Sequence, residues 1–442
     1  MKWGIVGGGV IGLTLALRLS SRGHDVTIFE GSSTLGGLAR PWKQGEINWD
    51  RFYHVILLSD TYTRRVLRDI GVENELQWVE TRTGLYAGGR LTSLSNAAEY
   101  LRLPVLKLFE RFRLGLTIFY ASKIRNWNKL EKIPVEQWLT SLSGEGTFKK
   151  LWRPLLRAKL GESRRETSAA FIWATIQRLY AARRTGLKKE MFGYLPEGYA
   201  KAFTAFENHL NNMGVRLKTG KKIEAVRNKN NKFILHSTEG EEEFDRVVMT
   251  CSNSRIAELC PQLDPAEQTL LKETPYQGIV CASLLLKKPL AEYYLTYLMD
   301  NDLPFTAVIE MTALIDPKQV DGKTLVYLPC YIDARDPFFR APDSEVEEFF
   351  LAGLEKMYSE FRRRDVEAFQ VARETEVFPV PVLEYSKKIP PTCSSIPGLY
   401  FVTSSQIVNG TLNVNDSIHI AENAVAVLLA DKENDTATGA TT

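Results

Sequence analysis

Lys2-Trp3-Gly4-Ile5-Val6-Gly7-Gly8-Gly9-Val10-Ile11-Gly12 opens the chain, and Arg22-Gly23-His24-Asp25-Val26-Thr27-Ile28-Phe29-Glu30 follows one helix length later. The spacing predicts a strand over Lys2–Val6, a glycine turn, a helix to Ser20, and a second strand ending in Glu30. Each residue type has a mechanical reason. Gly7 permits the tight turn, Gly9 lets the backbone approach a pyrophosphate, and Gly12 lets the helix pack close to the strand. The helix N-terminus at Val10, Ile11 and Gly12 offers free N–H groups and a partial positive charge to phosphates. Glu30 lies 18 residues past Gly12, where a carboxylate accepts both ribose hydroxyls and repels a 2′-phosphate. These features specify an α/β dinucleotide-binding unit without deciding between FAD and NAD.

Six residues beyond Glu30 comes Gly36-Gly37-Leu38-Ala39-Arg40, and then Asp50-Arg51-Phe52-Tyr53-His54. Together with the opening unit, these residues resemble the flavoprotein amine oxidase superfamily. That superfamily includes protoporphyrinogen oxidases, phytoene desaturases and, more distantly, UDP-galactopyranose mutases. The resemblance implies a Rossmann-like FAD-binding domain of glutathione-reductase type, with an interleaved substrate domain of mixed sheet plus helices. It implies FAD as cofactor, with Gly36 and Gly37 along the pyrophosphate and flavin. Leu38 stands where the family has a cation, and Arg40 is the delayed candidate for phosphate contact. Asp50–His54 matches the pattern Asp-x-Gly-x-His, with Phe52 in place of Gly, and makes His54 a candidate catalytic base beside the flavin. Residues 193–203 are similar to the Pro-x-Gly-Gly segment, with Tyr199 at the second Gly and a helix expected over Tyr199–Met213.

The same resemblance makes Ile223 the position whose backbone pairs with adenine, and Phe244–Thr250 the strand closing the dinucleotide domain. Gly398–Ser405 corresponds to a strand whose end meets the ribityl-phosphate portion, with Ser404-Ser405 where Gly-Asp or Gly-Glu is usual. The following helix, read over His419–Leu429 with Asn413 or Asn415 as cap, aims its N-terminus at the flavin. Val414 and Ser417 are its candidate contacts. The expected division is a discontinuous FAD-binding domain (1–75, 186–259, 373–430), a substrate domain (76–185, 260–372) and a disordered tail (431–442). The substrate stretches read as helices over 96–103, 104–125, 134–140, 147–160 and 168–183. After them come strands over 280–286, 305–311 and 324–332 and a helix over 343–358.

The 442 residues suit two or three domains, and 44% apolar with 25% charged residues is a globular balance. A net charge of +3 argues against a general nucleic-acid coat. The charge is uneven: residues 101–190 hold 20 Lys and Arg against 7 Glu, a local +13. Within them, the apolar-basic run 101–127 reads as a helix with a solvated basic face, or as an interfacial helix on anionic lipid. Five cysteines without a CxxC pair argue against a disulfide framework or zinc site and for a reducing, cytoplasmic compartment, with membrane association open. Gly4–Leu17 carries no charge but five of its residues are Gly, so it reads as strand and loop rather than an export signal. The sequon Asn409-Gly410-Thr411 has no meaning in a cytoplasmic protein.

Given FAD, the expected chemistry is hydride transfer from a substrate C–H to flavin N5, with the protein orienting a small, apolar substrate in a dry pocket. No metal ligand set and no catalytic triad stands out. Amine-oxidising relatives place a Lys near N5, which makes Lys287 (beside Lys288) a candidate. Tyr293, Tyr294, Tyr297 and Phe305 are candidate pocket aromatics. One alternative is a mutase-like flavoenzyme acting on a sugar diphosphate or glycolipid; another is a flavin-binding protein without turnover. The electron acceptor and the oligomeric state are not specified by the residues.

Overall fold

Lys2–Val6 lies at the centre of a parallel five-stranded sheet, because four of its five residues are buried and both of its edges are paired. In the computed structural model the strand order is Arg216–Lys218, Asp25–Phe29, Lys2–Val6, Arg246–Met249, Leu399–Phe401. Residues 1–44, 46–95, 99, 103–183, 191–408, 410 and 412–430 are described, 179–183 as backbone only. The helix expected over 96–103 (apart from residues 99 and 103), Asn409 and Thr411 of the sequon, and the tail 431–442 lie outside them. The helices Val10–Ser20 and Val414–Ala430 pack side by side, with Arg18 bound to Glu422 at 2.6 Å and to Asp69 at 2.7 Å. An antiparallel meander (Ile223–Lys229, Lys232–Ser237, Gly240–Phe244) packs against the sheet at Gly4. A Cβ on Gly4 would lie 2.9 Å from the Leu235 side chain. This is the α/β architecture expected from the opening residues.

The second sheet is mixed and seven-stranded. Its order is Val366–Pro379, Tyr276–Leu286, Thr324–Ile332, Ala307–Glu310, Leu295–Leu298, Thr83–Ala87, Arg90–Ser93. Its middle strands read as unbroken apolar runs, since helix Asp343–Met357 covers one face and the glycine-rich domain meets the other. A helical cap, including Leu108–Lys123, Val135–Ser143, Arg153–Leu160 and Ala169–Arg183, forms a third core with Leu85 and Phe378.

Several expected boundaries shift. Val366–Pro379 is one continuous strand, so the division at 372/373 falls inside it; pairing with Tyr276–Leu286 runs its length. Met191–Tyr194 pairs with both Ile56–Leu57 and Gln77–Glu80, which spans the division at 75/76. The helix expected over 147–160 begins as a wide turn, Phe148–Trp152, because Pro154 has no N–H to continue the ladder. The last helix starts at Val414 rather than His419.

Candidate functional site

The two glycine turns are stitched together. The Gly36 N–H donates to the Gly8 carbonyl at 2.9 Å, and Gly9 and Gly36 form a parallel bridge. Gly7 and Gly36 sit at φ +119° and +118°, which is glycine territory. A Cβ on Gly12 would run into the Gly7 carbonyl, so helix and strand meet as closely as the sequence implied. Over Gly9 the space is open: a Cβ there would find only Gly37 Cα, at 3.8 Å. Helix Val10–Ser20 starts with no side-chain cap and no acid in its first turn. Its leading N–H groups, from Val10 to Gly12, therefore have no side chain competing with an anion.

The adenosine end assembles from residues 190 positions apart. Glu30 is pinned by two backbone donors: the Gly8 N–H on Oε2 and the Ser32 N–H on Oε1, both at 2.8 Å. Each oxygen keeps lone-pair capacity for ribose hydroxyls. Gly220 N–H donates to the Ser32 carbonyl and Lys221 N–H to that of Glu30, which brings the strand bearing Ile223 beside the acid. Arg255 donates to the Ile223 carbonyl at 2.8 Å, so that carbonyl offers its second lone pair only. Arg40 stays with this group through Ser32 Oγ (2.8 Å) and Glu374 (4.0 Å).

At the other end of the second glycine turn, Leu38 packs into an apolar cluster with Trp42, Phe52, Tyr53, Tyr294 and Tyr327. Phe52 is part of this cluster, where the family pattern has glycine. Arg51 crosses its ring and pairs with Glu374, tying the motif to the edge strand of the mixed sheet. Asp50 is 2% exposed. Its Oδ1 accepts the Tyr199 N–H at 2.8 Å, capping the helix Tyr199–Asn212 from another segment. Burial pushes its carboxyl up to about 8, against the lowering effect of that hydrogen bond. His54 contacts the Phe52 carbonyl through Nδ1 at 2.9 Å, and its ring meets Tyr199 edge-on. Burial pulls it down to about 4, so it is a neutral imidazole at ordinary pH. It lies within the site, one ring removed from Phe203, which backs Gly36.

Lys287 lies elsewhere. It is exposed, its Nζ donates to the Arg364 carbonyl, and it follows the end of strand Tyr276–Leu286. Six extended residues, roughly 20 Å, separate it from Cys281 in the aromatic cluster. A lysine that does approach is Lys159, with Nζ 3.7 Å above the Tyr331 ring and 5.4 Å from that of Phe378. Tyr331 in turn shares a 2.9 Å hydrogen bond with the Tyr53 hydroxyl. Neither Lys159 nor Tyr331 carries a local signal, because their relevance arises only when the helical cap closes on the sheet. Of the candidate pocket aromatics, Tyr294 joins this cluster, whereas Phe305 packs under helix Asp343–Met357.

At the C-terminal end, Ser404 is half-buried at the start of a short helical turn. Ser405 is buried in a network with Thr403 (2.6 Å) and Asn253 (3.1 Å). Asn413 Oδ1 accepts the Asp416 N–H at 2.9 Å and so caps the last helix. The Ser417 hydroxyl donates back to the Asn413 carbonyl at 2.9 Å, which leaves Ser417 and Val414 to act through the helix N-terminus rather than a side chain. Asn415 turns away and accepts from Tyr62 and Thr63, capping helix Thr61–Asp69.

An open backbone cradle over Gly9, an uncapped helix start, a pinned acid and an adjoining aromatic cluster fit a flavin dinucleotide. The profile of the family described as flavin containing amine oxidoreductase matches residues 12–429. Zeta-carotene desaturase of Synechocystis sp. is 25% identical over 252 residues, covering 52% of this chain and 51% of that protein. The chain thus spans about half the length of this curated relative. Among solved structures, a provisionally assigned protoporphyrinogen oxidase of Exiguobacterium sp. has a TM-score of 0.76 at 16% identity, covering 98% and 99% of the two chains. Reduced UDP-galactopyranose mutase has a TM-score of 0.73 at 15% identity, covering 97% and 96%. These solved structures share the fold. The chain belongs to the flavin-containing amine oxidoreductase family.

Proposed function

We propose that the enzyme removes a hydride from a C–H bond of an apolar small molecule, in the manner of a desaturase. The observation that carries this reading is the aromatic wall where the glycine turn meets the mixed sheet, built from Leu38, Phe52, Tyr53, Tyr294 and Tyr327. FAD, when bound, supplies the hydride acceptor. The chain binds and orients the substrate and keeps water out. Tyr53 and Tyr331 hold each other by their hydroxyls, and Lys159 fixes the Tyr331 ring from above. Asp50 and His54 are both uncharged near neutral pH, so neither adds a charge beside an apolar ligand. The carotene desaturase relative supports an extended hydrocarbon as the substrate class. Buried thiols such as Cys260 and Cys281 suit the cytoplasm, where we place the protein.

A mutase-like reading is favoured by one feature, an open cleft of about 560 Å³ lined by Arg335, Arg340 and Arg373. Arg373 is paired with Asp343 and Arg335 with Asp333, whereas Arg340 has no ion-pair partner among the described residues and could take a diphosphate. Anaerobic spectroscopy separates the two. Adding a polyene in detergent to the yellow protein is expected to bleach it. If no apolar donor bleaches it, yet a sugar nucleotide is isomerised after chemical reduction, the hydride reading fails.

A further inference from the structure

Six of the nine large apolar side chains that are exposed among the described residues belong to one helix, Leu108–Lys123. They are Leu108 (80% exposed), Phe109 (71%), Phe112 (65%), Leu116 (52%), Phe119 (55%) and Tyr120 (53%). At about 100° per residue these six fall within an arc of roughly 120°. The opposite side carries Leu114, Thr117 and Ala121, which are buried against the helical cap. A soluble surface helix has the reverse pattern, with its apolar stripe inward, so the outward stripe needs an occupant.

The charges around the stripe choose among occupants. Lys107 precedes the helix and is exposed, Lys123 and Arg125 end it, and the Lys123 ammonium lies 5.1 Å over the Phe119 ring. The helix's one acid, Glu110, is neutralised by Lys150 at 2.8 Å. A second copy of the chain would set this positive rim against another like it. An anionic bilayer surface neutralises the rim and accepts the rings. No helix among the described residues is long and apolar enough to cross a membrane, which leaves an in-plane arrangement.

We propose that helix Leu108–Lys123 docks the enzyme on the interfacial zone of an anionic phospholipid bilayer, its apolar arc lying among the acyl chains and its cations at the headgroups. The placement also deepens the reading of an apolar substrate, on which this one consequence rests. Gln177 donates to the Ala121 carbonyl at 2.8 Å and Trp173 to that of Ile124 at 3.2 Å, so helix Ala169–Arg183 backs the docking helix. From that second helix Phe171 meets Phe378, whose ring lies beside Lys159 at the aromatic wall. Contiguous packing through helix Ala169–Arg183, strand Val366–Pro379 and Lys159 therefore links the docking helix to the wall, the direction from which a membrane-dissolved hydrocarbon would arrive.

The test is vesicle flotation of the full-length, flavin-loaded protein, which requires no turnover. Wild type is expected to float with vesicles containing phosphatidylglycerol, and less with pure phosphatidylcholine. Exchanging Phe112 and Phe119 for Ser should lower bound protein at least about tenfold, with the flavin spectrum and thermal midpoint unchanged. Lys107→Glu with Lys123→Glu should abolish the preference for anionic vesicles. The proposal is overturned if wild type stays in the soluble fraction, or if the Ser variant floats as well as wild type. It is equally overturned if the arc holds a dimer in solution that the Ser variant splits, while vesicles are ignored.

Discussion

Asp50 shows how one buried group writes itself into a pH profile. Its carboxyl ordinarily titrates at 3.8, and burial raises it to about 8 in the folded chain. Between those values the folded state keeps a proton that the unfolded state has lost, so stability declines as pH rises through the window. The groups facing it are His54 at 4.0 Å, Tyr199 through its N–H, and the Tyr327 hydroxyl on its carbonyl at 2.5 Å. His54 works in the other direction: lowered from 6.5 to about 4, it removes stability as pH falls across that range. Asp50→Asn retains an acceptor for Tyr199 and carries no charge. Its thermal midpoint should rise relative to that of wild type from pH 5 to pH 8, the His54 contribution being common to both; parallel profiles would refute this origin. At this scale the glycines and Glu30 were legible, since their identities state backbone and charge requirements directly. Lys159 was not, because an ammonium over a tyrosine ring is a product of packing between distant segments.

Elements were legible where burial and periodicity coincide. Thr324–Ile332 is a strand between the very residues expected, and Tyr276–Leu286 extends the expected one by four. The sequence places the start of the final helix five residues late because Asn413-Val414-Asn415-Asp416-Ser417 is poor helix material. In the folded chain those polar side chains do capping work instead. Asn413 caps its own helix, and Asn415 caps Thr61–Asp69, whose own N-cap residue Asp60 makes no cap bond. Asn415→Ala should therefore destabilise the protein by about 1 kcal/mol in urea unfolding. Because Tyr62 also stacks on His419 at 4.3 Å, the loss should loosen the contact between the two helices, seen as faster amide exchange at Tyr62 and Thr63. An unchanged urea midpoint would show that Asn415 is dispensable. The outward apolar stripe of Leu108–Lys123 was visible in composition, but only burial of Leu114, Thr117 and Ala121 tells which side faces out.

Across the whole molecule, the candidate cofactor seat draws on residues near 9, 30, 36, 223, 404 and 414, so ligand and tertiary structure are coupled. Saturating FAD at a hundred times its Kd should stabilise the flavin-free protein by about 2.7 kcal/mol, read as a rise in the circular-dichroism thermal midpoint. Glu30→Gln, which keeps the shape but loses the charge-assisted acceptor, should shrink that rise without lowering the flavin-free midpoint by a comparable amount. An equal rise in both would remove Glu30 from the seat. The domain interleaving was suggested by resemblance, whereas the exact crossings were not, since a strand such as Val366–Pro379 serves its neighbours and not a boundary. The central sheet has one more consequence. Lys2–Val6 pairs with Arg246–Met249, and that strand takes its outer neighbour, Leu399–Phe401, from the last tenth of the chain. A ribosome must therefore deliver the chain as far as Phe401 before the sheet can close. Messages truncated before the codon for Leu399 should yield colourless products destined for proteolysis.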